Sequence, residues 1–375
     1  MLGAGAAGLA LLAVYVGLSF LNSPRGFLGT DTGGKVATLR VMSERGRFDP
    51  DLGYWAEQWD PTGALHPLAN TTHTSSGKWV NITTLPALWF GWELFRIGGY
   101  RAALLVPMAG SVAAAFAARA LLLRFGVAGR RAWAGFWLVG LASPLAIYAL
   151  DFWEHSLGVA LMAWAVVLLL SGPSGRRWWW PALAAGALFG AAATMRTEAL
   201  VYLAVAVVVV VGLSRTSLRK AVAVGALLLV GLSVPLVANE ALERRVVGTT
   251  IRGARVAGTA AGAGAAPASR LEEAAVTTFA LDGSSRGIAL GAAFAALIAF
   301  AAVLTSRFVN AQAGMPASAF TKPDAGLAVV ALAGAGALLA IRIVSGGLGF
   351  VPGMLAAWPA APFAFGKRQS AIALW

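Results

Sequence analysis

The sequence predicts an all-α fold, a polytopic bundle of about ten transmembrane helices with a large first extracytoplasmic loop that carries juxtamembrane helices. Only 12% of the 375 residues are charged and 58% are hydrophobic, whereas about a quarter of the residues of a water-soluble domain are charged. The apolar residues fall into blocks of about 20, the length that an α-helix needs to cross ~30 Å of hydrocarbon. The blocks lack the polar and apolar alternation of a transmembrane β-barrel.

Ten apolar blocks with little internal charge give the predicted spans. They lie near residues 3–21, 101–123, 132–150, 155–171, 178–195, 199–214, 220–238, 287–306, 325–344 and 349–366.

The charged residues predict the orientation of the bundle. The formal net charge of +13 would suggest a nucleic-acid partner in a soluble protein. With a cytoplasmic N-terminus, however, the cytoplasmic side receives many basic residues and Asp324 alone, and the remaining charges nearly cancel. This bias is the positive-inside rule, so we expect both termini in the cytoplasm and no nucleic-acid partner. The cytoplasmic basic residues are Arg119, Arg124, Arg130, Arg131, Arg176, Arg177, Arg215, Arg219, Lys220, Arg307, Lys322, Lys367 and Arg368.

One further block, residues 79–98, is too polar to cross a bilayer comfortably. It contains Pro86, Glu93 and Arg96 and only about 12 apolar positions. We therefore expect an interfacial helix there, with Trp79, Trp89 and Trp92 at the depth of the lipid headgroups.

The predicted spans leave two long connections, both on the extracytoplasmic side of a single transmembrane domain, 1–375. The first covers 22–100 and is rich in polar and aromatic residues. The second, 239–286, contains the low-complexity stretch GTAAGAGAAPAS. The chain has no cysteine, which excludes thiol chemistry and disulfides. Abundant Ala, Gly, Val and Arg with few Lys are typical of GC-rich bacteria and therefore suggest a bacterial plasma membrane.

Asp31 is the first candidate catalytic residue. It follows the first span in the phrase GTDTGGK, whose glycines allow a tight turn beside a ligand. A second interpretation is equally open: Thr30 or Asp31 caps the helix that begins here.

A second candidate cluster is DFWEH, where the third and fourth spans meet outside. Asp151 precedes Glu154 and His155 by one helical turn, so all three could face one cavity. Carboxylate and imidazole groups at this spacing can hold a divalent cation or move a proton. The plainer alternative is an acidic helix start, which the helix dipole favours.

Three further charges lie at the outer ends of predicted spans: Arg196, Glu198 and Arg342. Charges at membrane depth are costly and usually face a cavity or a partner. An arginine there could bind a phosphate. Arg196 and Glu198 could instead pair with each other or with Asp151 and Glu154, and Arg342 could extend to the membrane surface.

Together these features resemble the GT-C glycosyltransferases, which use sugars linked to polyprenyl phosphate. The order of a first span, a long outer loop that opens with an Asp, a juxtamembrane helix, an acidic cluster and a later Arg is similar to that of bacterial members. The phrases that carry the resemblance are GTDTGGK (29–35), SPLAIYALDFWEHSLGVAL (143–161), MRTEALVYL (195–203) and GLGFVPGMLAAWPAAPF (347–363).

The resemblance implies a role for each candidate residue. Asp31 would act as base on the acceptor or position it, with Glu154 as its catalytic partner. Lys35, Arg196, Glu198 and Arg342 would bind the donor, with the cations on its phosphate. Asp151, Glu154 and His155 correspond to a cluster that in some members helps bind a divalent metal, so Mg²⁺ or Mn²⁺ is a candidate cofactor. The sequence departs from that pattern, because a Glu-His pair replaces a clear DxD motif.

Two other functions stay open. A transporter or flippase for a lipid-linked or small anionic substrate would have Arg196, Glu198 and Arg342 along its path, but it predicts charges near the bilayer centre. A non-catalytic scaffold predicts that the clusters point to separate surfaces. The charges gather at the outer interface, which favours the enzyme. Its partners would be a polyprenyl-phosphate-linked sugar, membrane lipid and an acceptor glycan, lipid or protein.

Overall fold

The computed structural model describes residues 3–23, 31–68, 70–81, 83–124, 126–170, 179–196, 199–200, 202–203, 207 and 218–251. All of them belong to the first of two units of the chain, Met1–Arg255. The predicted spans 287–306, 325–344 and 349–366 lie outside the described residues, as does most of 199–214.

The protein is mostly helical, as predicted. The helices of the described part are α1 (Ala4–Ser19), α2 (Asp31–Arg45), α3 (Leu85–Ala103), α4 (Leu105–Arg124), α5 (Gly129–Leu141), α6 (Pro144–Ala149), α7 (His155–Leu169), α8 (Trp179–Met195) and α9 (Leu218–Val247). An antiparallel hairpin of β1 (Thr71–His73) and β2 (Trp79–Asn81) pairs Thr72 with Val80.

Two segments of the described helices are long and apolar enough to cross a bilayer, Leu105–Arg124 and Val222–Val247. The helices Ala4–Ser19 and His155–Leu169 are apolar but shorter. The total of about ten spans therefore stays a prediction.

The predicted span 132–150 is two helices, not one. Helix α5 ends at Leu141 and α6 begins at Pro144. Pro144 has no N–H to donate to the preceding turn, so it fits only the start of a new helix. The Ser143 side chain accepts a hydrogen bond from the backbone N–H of Leu145 and caps that start.

The predicted helix 79–98 also has different boundaries. Trp79 lies in β2 and is buried, and α3 begins only at Leu85. The helix runs on to Ala103 through a break at Gly98 and Gly99, where Gly99 has φ 64° and ψ −156°. A residue with a Cβ rarely adopts this backbone conformation.

Helix α9 continues to Val247, so the predicted second loop, 239–286, opens with helical residues. The hairpin holds its last turn: Lys78 Nζ donates to the carbonyl of Val246 at 2.8 Å, and Ser76 Oγ donates to that of Val247 at 2.8 Å. These side chains satisfy carbonyls that a helix end leaves without partners.

Glycines allow two pairs of helices to approach closely. A Cβ on Gly186 would lie 2.3 Å from the carbonyl oxygen of Leu228, and one on Gly190 would lie 2.4 Å from that of Leu232. Helices α8 and α9 therefore touch backbone to backbone, as small residues four apart permit. Gly110 of α4 meets Ser156 and Leu157 of α7 in the same way.

Candidate functional site

The start of α2 meets the turn between α6 and α7. Thr32 Oγ1 donates to Asp151 Oδ1 at 2.7 Å, and Trp153 Nε1 donates to Thr32 Oγ1 at 2.9 Å. Asn22, just after α1, donates from Nδ2 to the carbonyl of Leu150 at 2.8 Å. Three hydrogen bonds thus join the first outer segment to the predicted acidic cluster.

Lys35 links the two predicted catalytic carboxylates. Its Nζ lies 2.7 Å from Asp31 Oδ2, one helical turn earlier, and 2.8 Å from Glu154 Oε2. Lys35 is 1% exposed and Glu154 3%. The ammonium also lies 5.8 Å from the centre of the Trp153 ring, a cation–π distance. The ammonium is thereby enclosed between carboxylates and an aromatic face.

This environment differs from the predicted phosphate-binding role of Lys35. An ammonium that is almost fully buried between two carboxylates leaves no open face for a phosphate. What Lys35 can do is fix Asp31 and Glu154 relative to each other, because one charge holds both.

Asp31 is the open member of the cluster. Its side chain is 35% exposed, and its Oδ1 accepts a hydrogen bond from Asn70 Nδ2 at 3.2 Å. Asn70 lies just before β1 with φ 58°, a left-handed conformation that Asn tolerates better than most residues. Asp31 is therefore oriented by Lys35 and Asn70 while part of its carboxylate reaches solvent.

On the other side of Glu154, aromatic rings lead to Arg196. The His155 ring stacks on Tyr148, with centroids 4.7 Å apart, and lies 5.0 Å from the Trp153 ring. Arg196 lies near the Tyr148 side chain. Its stem packs against Gly158, where an added Cβ would lie 3.2 Å from Arg196 Cγ. Since Gly158 is one helical turn after Glu154, Arg196 lies one turn along α7 from the carboxylate cluster.

The predicted metal ligands do not form a binding group in this geometry. In the part of the chain that the structure describes, no three His, Asp or Glu side chains gather at metal-binding distance. Asp151 is engaged by Thr32 and Glu154 by Lys35. The metal ion stays a prediction.

Two predicted donor-binding residues, Glu198 and Arg342, lie outside the described residues. Three residues of the site were not predicted. Thr32 and Trp153 lie inside the phrases GTDTGGK and DFWEH. Their signal in the sequence is an uncharged hydrogen-bonding group beside a predicted acidic residue. Asn70 gave no such signal, because only the fold brings it to Asp31.

An apolar cavity of about 820 Å³ lies between α3, α4, α7, α8 and α9. Its volume is in the range typical of ligand sites. It follows α7 from Leu157 to Leu168, a rise of about 16 Å at 1.5 Å per residue. One end adjoins the polar cluster, because Leu157 follows Glu154 by three residues, and Thr194 and Met195 precede Arg196.

The remainder of the first loop is held by its own carboxylates. Asp60 accepts backbone hydrogen bonds from Ala64 and Leu65, and the bond from Leu65 is the main cause that lowers the pKa of Asp60. Burial raises the pKa of Asp49, but the hydrogen bond and charge of Lys78 outweigh it and the net pKa is lowered. Hydrogen bonds and an ion pair within the first loop thus give it a defined structure.

Comparison of the chain with models of protein families, with curated proteins and with solved structures finds no match. Evidence for function therefore lies in the geometry of the site itself.

Proposed function

We propose that this protein is a membrane glycosyltransferase of the GT-C type. It moves a sugar from a polyprenyl-phosphate donor to an acceptor on the extracytoplasmic face of a bacterial plasma membrane. The observation that carries the proposal is the position of the Asp31, Lys35 and Glu154 cluster beside one end of a long apolar cavity. A substrate with a polar head and an apolar chain needs both features side by side.

The outward surface of α9 supports the membrane assignment. Val222, Leu229, Val234 and Val237 are each more than half exposed. A strip of exposed branched apolar residues along one helix suits contact with lipid. The proposed bundle has about ten spans, with both termini in the cytoplasm and residues 22–100 outside.

In the proposed reaction, Asp31 acts on the acceptor and Arg196 acts on the donor phosphate. Asp31 takes the proton from the acceptor hydroxyl as that oxygen bonds to the anomeric carbon. The bond between this carbon and the phosphate oxygen breaks, so negative charge grows on the lipid phosphate. Arg196 stabilises that charge. Lys35 and Glu154 position Asp31, and the apolar cavity holds the lipid chain.

The exposure of Asp31 fits the role of base. It is the part of the cluster that an acceptor can reach, whereas Lys35 and Glu154 are buried. Asn70 and Lys35 contact different oxygens of its carboxylate, which fixes the direction in which the remaining lone pairs point.

The test is replacement of Asp31 by Asn, which keeps the shape of the side chain and removes the base. Membranes that contain the protein are given nonaprenyl-phosphate-linked mannose or arabinose, and the released nonaprenyl phosphate is measured. We expect release to fall by at least about 100-fold, the usual contribution of a general base.

The matched control is Glu44→Gln. Glu44 lies on the same helix, is exposed and pairs with exposed Arg40 at 3.0 Å, so we expect release to stay near the wild-type rate. Wild-type release by the Asp31→Asn variant would contradict the base. No release by the wild type with either donor would contradict a hexosyl or pentosyl transferase.

A further inference from the structure

Two exposed indole rings lie side by side on the first loop. Trp55 is 83% exposed and Trp59 is 71% exposed. Their ring centroids are 6.5 Å apart, and the ring planes are inclined at 59° to each other. Single exposed hydrophobic residues are common, but adjoining exposed aromatic rings indicate a contact surface. We refer to Trp55 and Trp59 as the indole pair.

The backbone beneath the indole pair is a closed turn. The N–H of Asp60 donates to the carbonyl of Ala56 at 2.9 Å, and the Tyr54 hydroxyl donates to Asp60 Oδ2 at 2.9 Å. Ala56 is buried, and the Tyr54 ring packs against buried Trp79 with centroids 5.0 Å apart. The indole pair therefore extends from a backbone that is already ordered, which lowers the cost of binding a ligand.

Polar side chains lie between the two rings. Glu57 and Gln58 are exposed, and Glu57 Oε1 lies 3.4 Å from His73 Nε2. The segment 50–70 contains three carboxylates and neither lysine nor arginine, although the whole chain has a formal net charge of +13. The surface thus combines aromatic faces with hydrogen-bond acceptors in a segment of negative formal charge.

This combination matches a neutral carbohydrate. The C–H groups on the face of a sugar ring are slightly positive, so the negative face of an aromatic ring attracts them. Hydroxyl groups at the edge of the same sugar donate to carboxylate and amide oxygens. The negative charge of the segment repels acidic sugars and anionic lipid headgroups.

A second exposed pair of indoles, Trp179 and Trp180, has a different setting. They are 43% and 57% exposed, begin α8 and closely follow Arg176 and Arg177 in the sequence. Tryptophan beside arginine is typical of a membrane interface, where the arginine meets anionic lipid. The segment 50–70 has no such basic residue, which favours a glycan over a membrane surface at the indole pair.

The hairpin connects the indole pair with Asp31. Asn70 donates to Asp31 and lies three residues before His73, about 10 Å along an extended chain. His73 in turn meets Glu57, which lies between the two indoles. A chain of several linked sugars is long enough to contact the indole pair while its terminal hydroxyl group lies at Asp31.

We propose that the acceptor of the reaction is a neutral glycan, and that Trp55 and Trp59 bind it a few sugars away from the hydroxyl group that reacts at Asp31. The inference rests on the proposed function and deepens it, because it names the class of acceptor. Each indole stacks on one sugar ring, and Glu57 and Gln58 accept hydrogen bonds from its hydroxyl groups. Such a site favours a glycan chain over a free monosaccharide.

The experiment measures the binding of glycans to the purified full-length protein in deuterated detergent, without a donor. The neutral probes are linear mannohexaose, arabinohexaose and chitohexaose, and the anionic probe is hexagalacturonate. Titrations followed by saturation-transfer difference NMR give each Kd. We expect the wild type to bind at least one neutral probe, and to bind hexagalacturonate more weakly.

The double variant Trp55→Ala/Trp59→Ala removes both rings and leaves the buried Ala56 and Tyr54 contacts of the turn in place. We expect the Kd of the bound neutral probe to rise roughly 5-fold or more, the loss of two ring contacts. The matched control is Trp179→Ala/Trp180→Ala, which removes two exposed indoles elsewhere and should leave this Kd unchanged. A wild-type Kd in the first variant, an equal rise in the control or tighter binding of hexagalacturonate would overturn the inference.

A single cysteine tests the membrane as the alternative occupant, because the chain has no other. Gln58→Cys carries a nitrobenzoxadiazole dye between the two indoles, and the protein is placed in bilayer nanodiscs. We expect the emission that the dye has in water. A blue-shifted emission that nitroxide-labelled lipids quench would place the indole pair in the bilayer and overturn the inference.

The outcomes separate this inference from the proposed function. A wild-type preparation that binds no neutral probe but releases nonaprenyl phosphate from a donor would overturn the glycan acceptor, while the proposed function stands. A preparation that binds a neutral probe through the indole pair but releases nonaprenyl phosphate from neither donor would overturn the transferase, and the acceptor role with it.

Discussion

Lys35 shares its charge between carboxylates that lie far apart in the sequence, since Lys35 and Glu154 are 119 positions apart. A buried ammonium is tolerated only when it is paired and hydrogen-bonded. The pair explains how a lysine at 1% exposure can lie within a helix that follows the first span. It also means that replacement of Lys35 alone removes the cation that lies between the two carboxylates.

Lys35→Met is expected to destabilise the protein. The change leaves Asp31 and buried Glu154 facing each other without the cation between them, and breaking a buried pair costs about 3 kcal/mol or more. Thermal unfolding in detergent measures the effect. The double variant Lys35→Met/Glu154→Gln should recover part of the loss, and equal stability of the two variants would show that the pair is not coupled.

Asp49 gives the first loop a dependence on pH. Its pKa is lowered below 3.8 in the folded protein, so it contributes stability above about pH 4 that is lost as pH falls through the lower folded value. Asp49 contacts Lys78, which also bonds the end of α9. We therefore expect the contact between Asp49 and Lys78 to be lost as pH falls from 5 to 3. Limited proteolysis should then cleave the first loop faster at pH 3 than at pH 5.

The comparison for this prediction is Asp49→Asn, which removes the titrating group. The variant should be cleaved more readily than the wild type at pH 5 and should show a smaller change between pH 5 and pH 3. Asp60 contributes in the same direction, because its pKa is also lowered, so part of the change should persist. A wild-type pH profile in the variant would contradict the role of Asp49.

At the scale of single residues, the sequence indicated the charged members of the cluster and missed the uncharged ones. Asp31 and Glu154 stood out because charges beside apolar segments are rare. Thr32 and Trp153 carry no charge, and Asn70 reaches Asp31 only through the fold of the loop. The pairing of Lys35 with two carboxylates could not be predicted, since it depends on contacts between α2 and α7.

Helices α8 and α9 are joined along a line of glycines. Gly231 completes it, because a Cβ there would lie 2.2 Å from the carbonyl oxygen of Leu183. With backbone as the contacting surface, no side chain can rotate away to make room. The spacing of Gly186 and Gly190, four residues apart, is typical of helices that pack this closely.

Gly186→Ala should separate the two helices. The added methyl group meets the backbone of Leu228, and overpacking of this kind costs about 1–3 kcal/mol. Gly225→Ala is the matched control, since nothing lies within 4 Å of a Cβ at that position of α9. It should be neutral or stabilising by up to ~1 kcal/mol through helix propensity, as thermal unfolding would measure. Equal effects of the two changes would argue against close packing.

The ends of helices and strands could be predicted only where residues close by in the sequence determine them. Helix α1 and α4 begin and end within a few residues of their predicted spans. The break at Pro144 follows from the proline itself, although the apolar pattern hid it. The extension of α9 to Val247 lies beyond the apolar pattern, although Glu240 and Arg244 pair one turn apart on its exposed side at 2.8 Å, a spacing that favours a helix.

For the molecule as a whole, the proposed function depends on the predicted orientation in the membrane. It decides whether the cluster of Asp31, Lys35 and Glu154 meets an extracytoplasmic acceptor. The chain has no cysteine, so a single introduced cysteine can be labelled without background.

Ala64→Cys and Ala128→Cys are matched probes, because both alanines are exposed and lie in connections between elements. With a membrane-impermeant maleimide on intact spheroplasts, we expect labelling of the first and not of the second. Lysis should make both sites reactive. Labelling of Ala128→Cys before lysis would reverse the proposed topology.

The break in α3 places a constraint on one residue that should hold even in proteins only distantly related to this one. At Gly99 the backbone has a φ of 64° and a ψ of −156°, which essentially only glycine adopts. Descendants of a common ancestor that keep this bend must keep a glycine there, even where the surrounding apolar residues have exchanged freely. Paired with the acidic phrase about fifty residues later, that glycine is an anchor for aligning distant relatives whose overall identity has faded.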